Sequence, residues 1–370
     1  MEEWMNQQKL MNRKYLHKDF KWNGISFTTE AALFQYVDSD CPEISIFIRE
    51  WFDETGLIHC MTSGSTGKPK KIGLDRKHMI NSAVATGKYF NLGAGSRALL
   101  CLPLEFIAGK MMLIRAMVLG WHLDRIDANS APAIPTAIQY DFSAMVPLQL
   151  NNSLDKLNRI KTLIVGGGEV SDRLKSRLVH LETKIYATYG MTETITHVAL
   201  MPLNKSAGIS AANNHFKGLP GVRFSTDPRE CLCIQAPDIA EKEIVTNDIV
   251  ELISDTRFKW MGRYDNVINS GGVKLIPELM ESKFSGLMKR RFFFTAVPDP
   301  VLGQKLVLIV EGEPENNLQQ RLDDFQRQHA LDISKYEIPK KCISPKNFFK
   351  PKNGKIRRKA SLQLVLSLQQ

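Results

Sequence analysis

Thr62, Ser63, Gly64, Ser65, Thr66, Gly67 and Lys68 put hydroxyls, flexible backbone and an ammonium into seven consecutive positions, with Lys70 and Lys71 just beyond. Glycines let backbone N–H groups converge on an anion, hydroxyls add donors and lysines add charge. The stretch therefore reads as a phosphate cradle and, taken alone, equally as a flexible surface turn. It is not a Walker loop. That motif needs G-x-x-x-x-G-K-[ST], and here five residues on from Gly64 stands Pro69, with Lys68 itself followed by proline.

Four other stretches carry residue types suited to the same anion. LIVGGGEVS runs a strand-like segment into Gly166, Gly167, Gly168 and Glu169; alone it is a tight strand-to-helix turn. YATYGMTET ends a second such segment at Tyr189, Gly190 and Met191, followed by Thr192 and Glu193. A hydroxyl and a carboxylate at a strand end can serve a phosphate and its Mg2+, or Thr192 can cap a helix whose positive end favours Glu193. TNDIVEL followed by GRYDNVINSGG offers Asp248 and Arg263 for sugar hydroxyls and phosphate, or as a surface ion pair. PKNGKIRRK near the C-terminus brings Lys355 in what is, by composition, a solvated basic loop.

These stretches need elements to hold them. LLCLPL (99–104), TLIV (162–165) and KIYATY (184–189) are short apolar runs ending in Gly or Pro, as buried strands do. Helical stretches lie between them at 75–90 and 171–180, the second opening on Ser171 as N-cap. The alternation predicts an α/β fold. After Arg263 the texture changes: FFFTAVPDPVLGQKLVLIVEG reads as two strands around a PDP turn, and ENNLQQRLDDFQRQH as a polar-faced helix. At 370 residues two domains are expected, here 1–263 and a smaller α+β unit, 264–370. The formal net charge of +10 suits a protein that handles small anions. The basic residues are spread along the chain, which argues against nucleic acid. No run approaches the ~20 apolar residues of a membrane span, because IAGKMMLIRAMVLG is broken by Lys110 and Arg115. MEEWMNQQKL lacks the apolar core of a signal peptide, so the cytoplasm is the expected location. Cys231 and Cys233, two apart on one strand face, read as buried thiols rather than metal ligands.

Order and spacing add what no single stretch carries. TSGSTGKPK, GGGE, YGMTE, an Asp before GRYD, SGG with PELME, and a terminal NGK together resemble the signature series of the adenylate-forming superfamily of acyl-CoA synthetases, peptide-synthetase adenylation domains and luciferases. The resemblance runs from about residue 59 to residue 360. It implies a large N-terminal lobe, a mobile C-terminal lid and a two-step reaction. A carboxylate attacks the ATP α-phosphate to give an acyl-adenylate and pyrophosphate, and a thiol, usually that of CoA, then displaces AMP. It implies ATP, Mg2+ and CoA alongside a small carboxylic acid, and leaves a homodimer open. By the same resemblance Lys355 is the catalytic lysine of the first step, and Thr62 to Lys68 wrap the β- and γ-phosphates. Thr192 touches the α-phosphate, Glu193 holds Mg2+, and Asp248 and Arg263 take ribose and phosphate. Gly166 to Glu169, with Tyr189, Gly190 and Met191, face adenine and the acyl group. Asp265 is the hinge, and Ser270, Gly271 and Gly272 line the CoA channel.

Departures from the family pattern mark this chain. Phe106 stands where the family often has His, Asn247 replaces the Gly of TGD, and relatives carry a longer region before the glycine-rich loop. The compact length, PLEFIAGKMM and SGGVKLIPELME look most like the o-succinylbenzoate–CoA ligase branch, whose acid is an aromatic dicarboxylate. Phe106, Lys110, Thr196 and His197 are then the acyl-pocket candidates, although an exposed helix lysine is the expected fate of Lys110.

Overall fold

In the first two-thirds of the chain, apolar runs bounded by turn residues become strands, and the longer stretches between them become helices. The computed structural model describes residues 16–61, 71–210, 213–346 and 358–367. The strands in chain order are β1 (Lys21–Trp22), β2 (Ile25–Ser26), β3 (Leu57–Met61), β4 (Lys71–Asp75), β5 (Arg97–Leu100), β6 (His122–Arg125), β7 (Tyr140–Met145), β8 (Ile160–Val165), β9 (Lys184–Gly190), β10 (His197–Pro202), β11 (Phe216–Gly218), β12 (Arg223–Thr226), β13 (Cys231–Gln235), β14 (Ile244–Ser254) and β15 (Arg257–Arg263). All but β3 and β4, which pair as a separate hairpin, join one 13-stranded sheet in the order β12-β13-β14-β15-β11-β10-β9-β8-β7-β5-β6-β1-β2. Neighbours from β1 through β6, β5, β7 and β8 to β9 are parallel. From β9 to β12 every neighbour is antiparallel.

The parallel part is buried on both faces, and the period of two along each strand decides which side chain serves which face. Leu99, Leu163, Val165 and Ile185 enter one core with Leu174 and Leu178. Leu100, Phe142 and Ile164 enter the other, with Met112, Trp121 and Met79. Helix 76–90 starts where the Asp75 carboxylate accepts from the Lys77 N–H at 2.7 Å, and it ends at Asn91 in the left-handed region. Ser171 caps helix 172–178 as expected, its hydroxyl accepting from the Leu174 N–H at 3.3 Å. The run LLCLPL is strand only as far as Leu100, since Pro103 has no N–H to give a ladder. Cys231 and Cys233 are buried thiols on β13.

Beyond Arg263 a turn, Tyr264–Asn266, leads into a second sheet of β16 (Ile268–Ser270), β17 (Val273–Leu275), β18 (Phe292–Asp299), β19 (Gly303–Val310) and β20 (Lys341–Ile343). Helices 277–284 and 318–328 cover one face through Phe284, Leu322 and Phe325, packed on Phe294, Leu306 and Leu308. On the other face Phe293, Val307, Ile309 and Ile343 pack with Leu362 of the terminal helix, Arg358–Ser367. Among the described residues no helix is long and apolar enough to cross a membrane.

Candidate functional site

The carboxyl ends of adjacent parallel strands are where an open α/β sheet leaves a crevice for ligands. β8 and β9 are such neighbours, with Val165 opposite Ala187, so Gly166–Glu169 and Gly190–Glu193 leave the sheet side by side. Two glycines are dictated by close approach. A Cβ on Gly166 would stand 2.4 Å from the Thr188 hydroxyl, and one on Gly190 would stand 2.2 Å from the Thr196 carbonyl. Thr192 does not cap a helix. No helix follows β9; the chain turns back into antiparallel β10, and the pairing of Gly190 with His197 decides the matter. The turn is held by Thr194, whose hydroxyl accepts from the Met191 N–H at 2.8 Å and donates to the Thr196 carbonyl at 2.7 Å. Ile195, β-branched and buried, sits at φ 64°. That conformation costs on the order of 1–3 kcal/mol, and such strain collects at functional loops. The turn leaves Glu193 exposed beside Thr192 just beyond the carboxyl end of β9.

A second group assembles from three distant parts of the chain. Asp248 on β14 lies opposite Arg263 on β15. The Tyr189 hydroxyl donates to Asp248 Oδ2 at 2.7 Å, while Trp260 Nε1 and Arg263 Nη1 reach Oδ1 at 3.3 and 3.4 Å. Burial, and then the Asp248 charge, push the phenol well above its ordinary range, so Tyr189 stays a donor. Its ring packs against Phe216 and Phe258. Arg263 Nη2 also holds Asp265 at 3.0 Å, and the Asn247 amide lies 3.4 Å from both Asp265 oxygens. On its other side Asn247 Oδ1 accepts from Arg229 Nη1 at 3.0 Å. The residue that replaces the family's glycine thus ties Asp265 to the large sheet.

Glu169 faces the second sheet's helix 277–284. Its carboxyl is pushed up to about 7, chiefly by desolvation, with Glu281, Asp172 and Glu278 raising it further against Lys175. The hydroxyl of Ser282 donates to Asp172 at 2.9 Å across the same boundary.

The acyl-pocket candidates separate. Lys110 is not the exposed helix lysine expected: it is buried, donates to the His59 carbonyl at 3.1 Å and lies over the Phe47 ring at 4.8 Å. Helix 107–119 is covered on nearly every side, so a lysine there has nowhere else to put its stem. Phe106 precedes that helix and is partly exposed. Thr196 and His197 come together, Oγ1 to Nδ1 at 3.2 Å, and lead to a residue that sequence reasoning passed over. Arg115 is 1% exposed. Its Nη2 donates to Thr196 Oγ1 at 2.9 Å and its Nε to Thr86 Oγ1 at 3.2 Å, with the Met112 sulfur 3.9 Å from Nη1. None of these partners is acidic. Burial draws the guanidinium down to about 9. Burial and Arg115 together draw the His197 imidazole down to about 3, so it is neutral, and its buried Nε2 has no partner among the described residues. His197 also lines a cleft with Ser82, Ala85, Leu219 and Ala236. The one signal in the sequence was a cation that, with Lys110, interrupts an otherwise apolar stretch.

Ser270, Gly271 and Gly272 form the tip of the β16–β17 hairpin, with both glycines at positive φ as a two-residue turn of this hand requires. Thr62 to Lys68 and Lys355 lie outside the described residues. The donors present fit a magnesium nucleotide: an exposed carboxylate beside a hydroxyl for a hard cation, and an oriented carboxylate paired with arginine for sugar and phosphate.

Comparison with known proteins agrees with this arrangement. The family model "AMP-binding enzyme" matches residues 53–217. The 2-succinylbenzoate–CoA ligase of Lactococcus lactis is 24% identical over 352 residues, 88% of this chain and 74% of that protein. The Bacillus cereus enzyme of the same name is 23% identical over 361 residues, 88% of this chain and 73% of that protein. Among solved structures, o-succinylbenzoate coenzyme A synthetase from Bacillus subtilis shares the fold, with a TM-score of 0.68 at 18% identity over 82% of this chain and 69% of that one. An acyl-CoA synthetase (AMP-forming)/AMP-acid ligase II-like protein from Dyadobacter fermentans is 37% identical, covering 87% of this chain and 93% of that one, with a TM-score of 0.55. This chain belongs to the AMP-binding, adenylate-forming enzyme family.

Proposed function

We propose that the protein is an ATP-dependent acid–thiol ligase that converts an aromatic dicarboxylate of the o-succinylbenzoate type to its CoA thioester. The observation that carries the choice of acid is Arg115: a guanidinium removed from water, bonded to two threonine hydroxyls and facing no carboxylate among its described contacts. Burying such a charge costs several kcal/mol unless an anion compensates it. A substrate with a second carboxylate supplies that anion, and Thr196, which accepts from Arg115, is followed by neutral His197, whose buried Nε2 has no partner among the described residues.

The first step forms a bond from the substrate carboxylate oxygen to the α-phosphorus and breaks the α–β bridge, releasing pyrophosphate. A carboxylate oxygen is a poor leaving group and AMP a good one, so the enzyme's task is to position reactants and offset charge. Thr62 to Lys68 hold the β- and γ-phosphates, Thr192 the α-phosphate, and Lys355 spans carboxylate and α-phosphate. Asp248, oriented by Tyr189, Trp260 and Arg263, takes the ribose hydroxyls. Glu193 would hold Mg2+, which when bound would offset the charge of the triphosphate. In the second step the CoA thiolate attacks the acyl carbon and AMP departs. The chain divides at 263/264, and the lid turns about Asp265 between the steps, withdrawing Lys355 and bringing up the Ser270–Gly272 tip.

The test is pyrophosphate release with a panel of mono- and dicarboxylic acids, with and without CoA. Release with an aromatic dicarboxylate, followed by CoA-dependent thioester formation, supports the reading; intact ATP beside every acid overturns it. Asp265→Pro stiffens the crossing and restrains residue 264. Adenylation in that variant should stay within about threefold of wild type while thioester synthesis falls at least about tenfold. Thioester synthesis at the normal rate would remove Asp265 as the pivot.

A further inference from the structure

We propose that Arg358 and Glu278 are positioning residues for the first half-reaction: they join the turn between the lobes to the first residue of the terminal helix, three positions after Lys355 in the chain. This rests on the role given to Lys355 above.

The contacts run without a break. Asn266, in the turn that crosses between the two sheets, donates from Nδ2 to Glu278 Oε1 at 2.5 Å. Glu278 is in the first turn of helix 277–284 and is 7% exposed. Its Oε1 lies 3.4 Å from Arg358 Nη2. Arg358 opens the terminal helix and grips Glu281 with both arms, Nη2 to Oε2 at 2.7 Å and Nη1 to Oε1. Nη1 also donates to the Phe294 carbonyl at 3.0 Å, and the guanidinium lies over the Phe293 ring. Glu281 is fixed in turn by the Phe294 N–H at 2.8 Å.

Docking the terminal helix does not need this cluster, because Leu362 already packs it against Phe293, Val307, Ile309 and Ile343. Buried ion pairs add little net stability against apolar replacements, whereas a two-armed arginine fixes direction and register. Direction matters here because Lys355 is three residues from Arg358, a leash of at most about 11 Å between Cα atoms. If Leu362 were the nearest fixed point the reach would grow to about 17 Å, the intervening helical residues adding about 6 Å. Each additional unrestrained residue adds backbone entropy to lose when the ammonium enters the site. Ser282, on the helix that carries Glu278 and Glu281, donates to Asp172 of the opposite lobe at 2.9 Å, which puts the clamp at the lobe boundary where Asp172 follows the GGGE loop.

The experiment measures both half-reactions on full-length Arg358→Gln, Arg358→Lys and the triple variant Glu278→Gln, Glu281→Gln and Arg358→Gln, which removes all three charges of the cluster and so keeps a folded test protein if the single variant collapses. Thermal melts are recorded beside them. Expected for Arg358→Gln and the triple variant is a fall of about 10²-fold in kcat for adenylation, with KM for ATP changed less than about threefold and thioester formation from supplied acyl-adenylate kept. Arg358→Lys should recover about tenfold of that loss. Adenylation within twofold of wild type in a triple variant that melts cooperatively would overturn the proposal, as would equal loss of both half-reactions. Lys355→Ala separates the two readings. If it is selective for adenylation while the triple variant is normal, only the clamp fails; if it leaves adenylation intact, the lysine's role and the clamp fall together.

Discussion

Replacing Lys355 by alanine is expected to lower adenylate formation by about 10²–10³-fold while leaving thioester formation from supplied acyl-adenylate within about threefold of wild type. The magnitude is that of removing one preorganised charged donor from a developing anion in a water-poor site, about 2.7–4 kcal/mol of barrier. The asymmetry between the steps is the diagnostic. The lysine's partners, the attacking carboxylate and the α-phosphate, are separate anions that must be brought together only before pyrophosphate leaves; afterwards they are already joined in the acyl-adenylate. The second step needs the thiol, the acyl carbon and a departing AMP, and in the proposed cycle the lid has by then turned away. The measurement is pyrophosphate release in the first assay and single-turnover thioester formation in the second. Equal losses in both would show that one fixed lid pose serves the whole reaction.

Arg115→Met is expected to act on substrate choice. Truncating one member of a buried, hydrogen-bonded charge pair costs about 2–5 kcal/mol, so kcat/KM for the aromatic dicarboxylate should fall roughly 30- to several-thousand-fold, since each 1.4 kcal/mol is tenfold. An analogue lacking the distal carboxylate should lose little or gain. Stability should move the other way. In the free protein the guanidinium is buried against two hydroxyls and a sulfur, and replacing a buried cation by an apolar chain of similar length is neutral to stabilising. An unchanged or higher Tm with inverted acid preference would establish Arg115 as the receptor. Equal loss for both acids, or a protein that no longer folds, would assign it to the core. Thr196→Val should produce a weaker version of the same shift, because it removes one of Arg115's two hydroxyl partners but keeps the charge.

The parts of the site that are contiguous in the chain were legible. Gly166–Glu169 and Gly190–Glu193 each follow an apolar run, and a strand ending in glycines is a local event. Their adjacency follows from the parallel pairing of β8 with β9. The Asp248–Arg263 pairing was legible only as two suitable residue types; 15 residues separate them, and the register of β14 on β15 makes them neighbours. The N-cap alternative for Thr192 failed because a hydroxyl after a glycine suits a helix start and a hairpin alike. Pairing with β10, a long-range event, chose the hairpin.

Lys110 and Arg115 show the limit most clearly. Five residues apart on one helix, they point about 140° apart at 100° per residue. The sequence shows two cations interrupting an apolar stretch, and the usual expectation is that such cations reach water. Whether they can depends on what covers each face of helix 107–119. Lys110 meets the His59 carbonyl and the Phe47 ring, while Arg115 meets Thr86 and Thr196. The sequence by itself determined the family chemistry, because phosphate-binding turns are short and their residue types are constrained by backbone geometry. Only the tertiary structure decided which of the two cations is removed from water beside two hydroxyls, with no acidic partner among its described contacts, because burial is a property of every element packed around a side chain and is written in no local stretch of the chain.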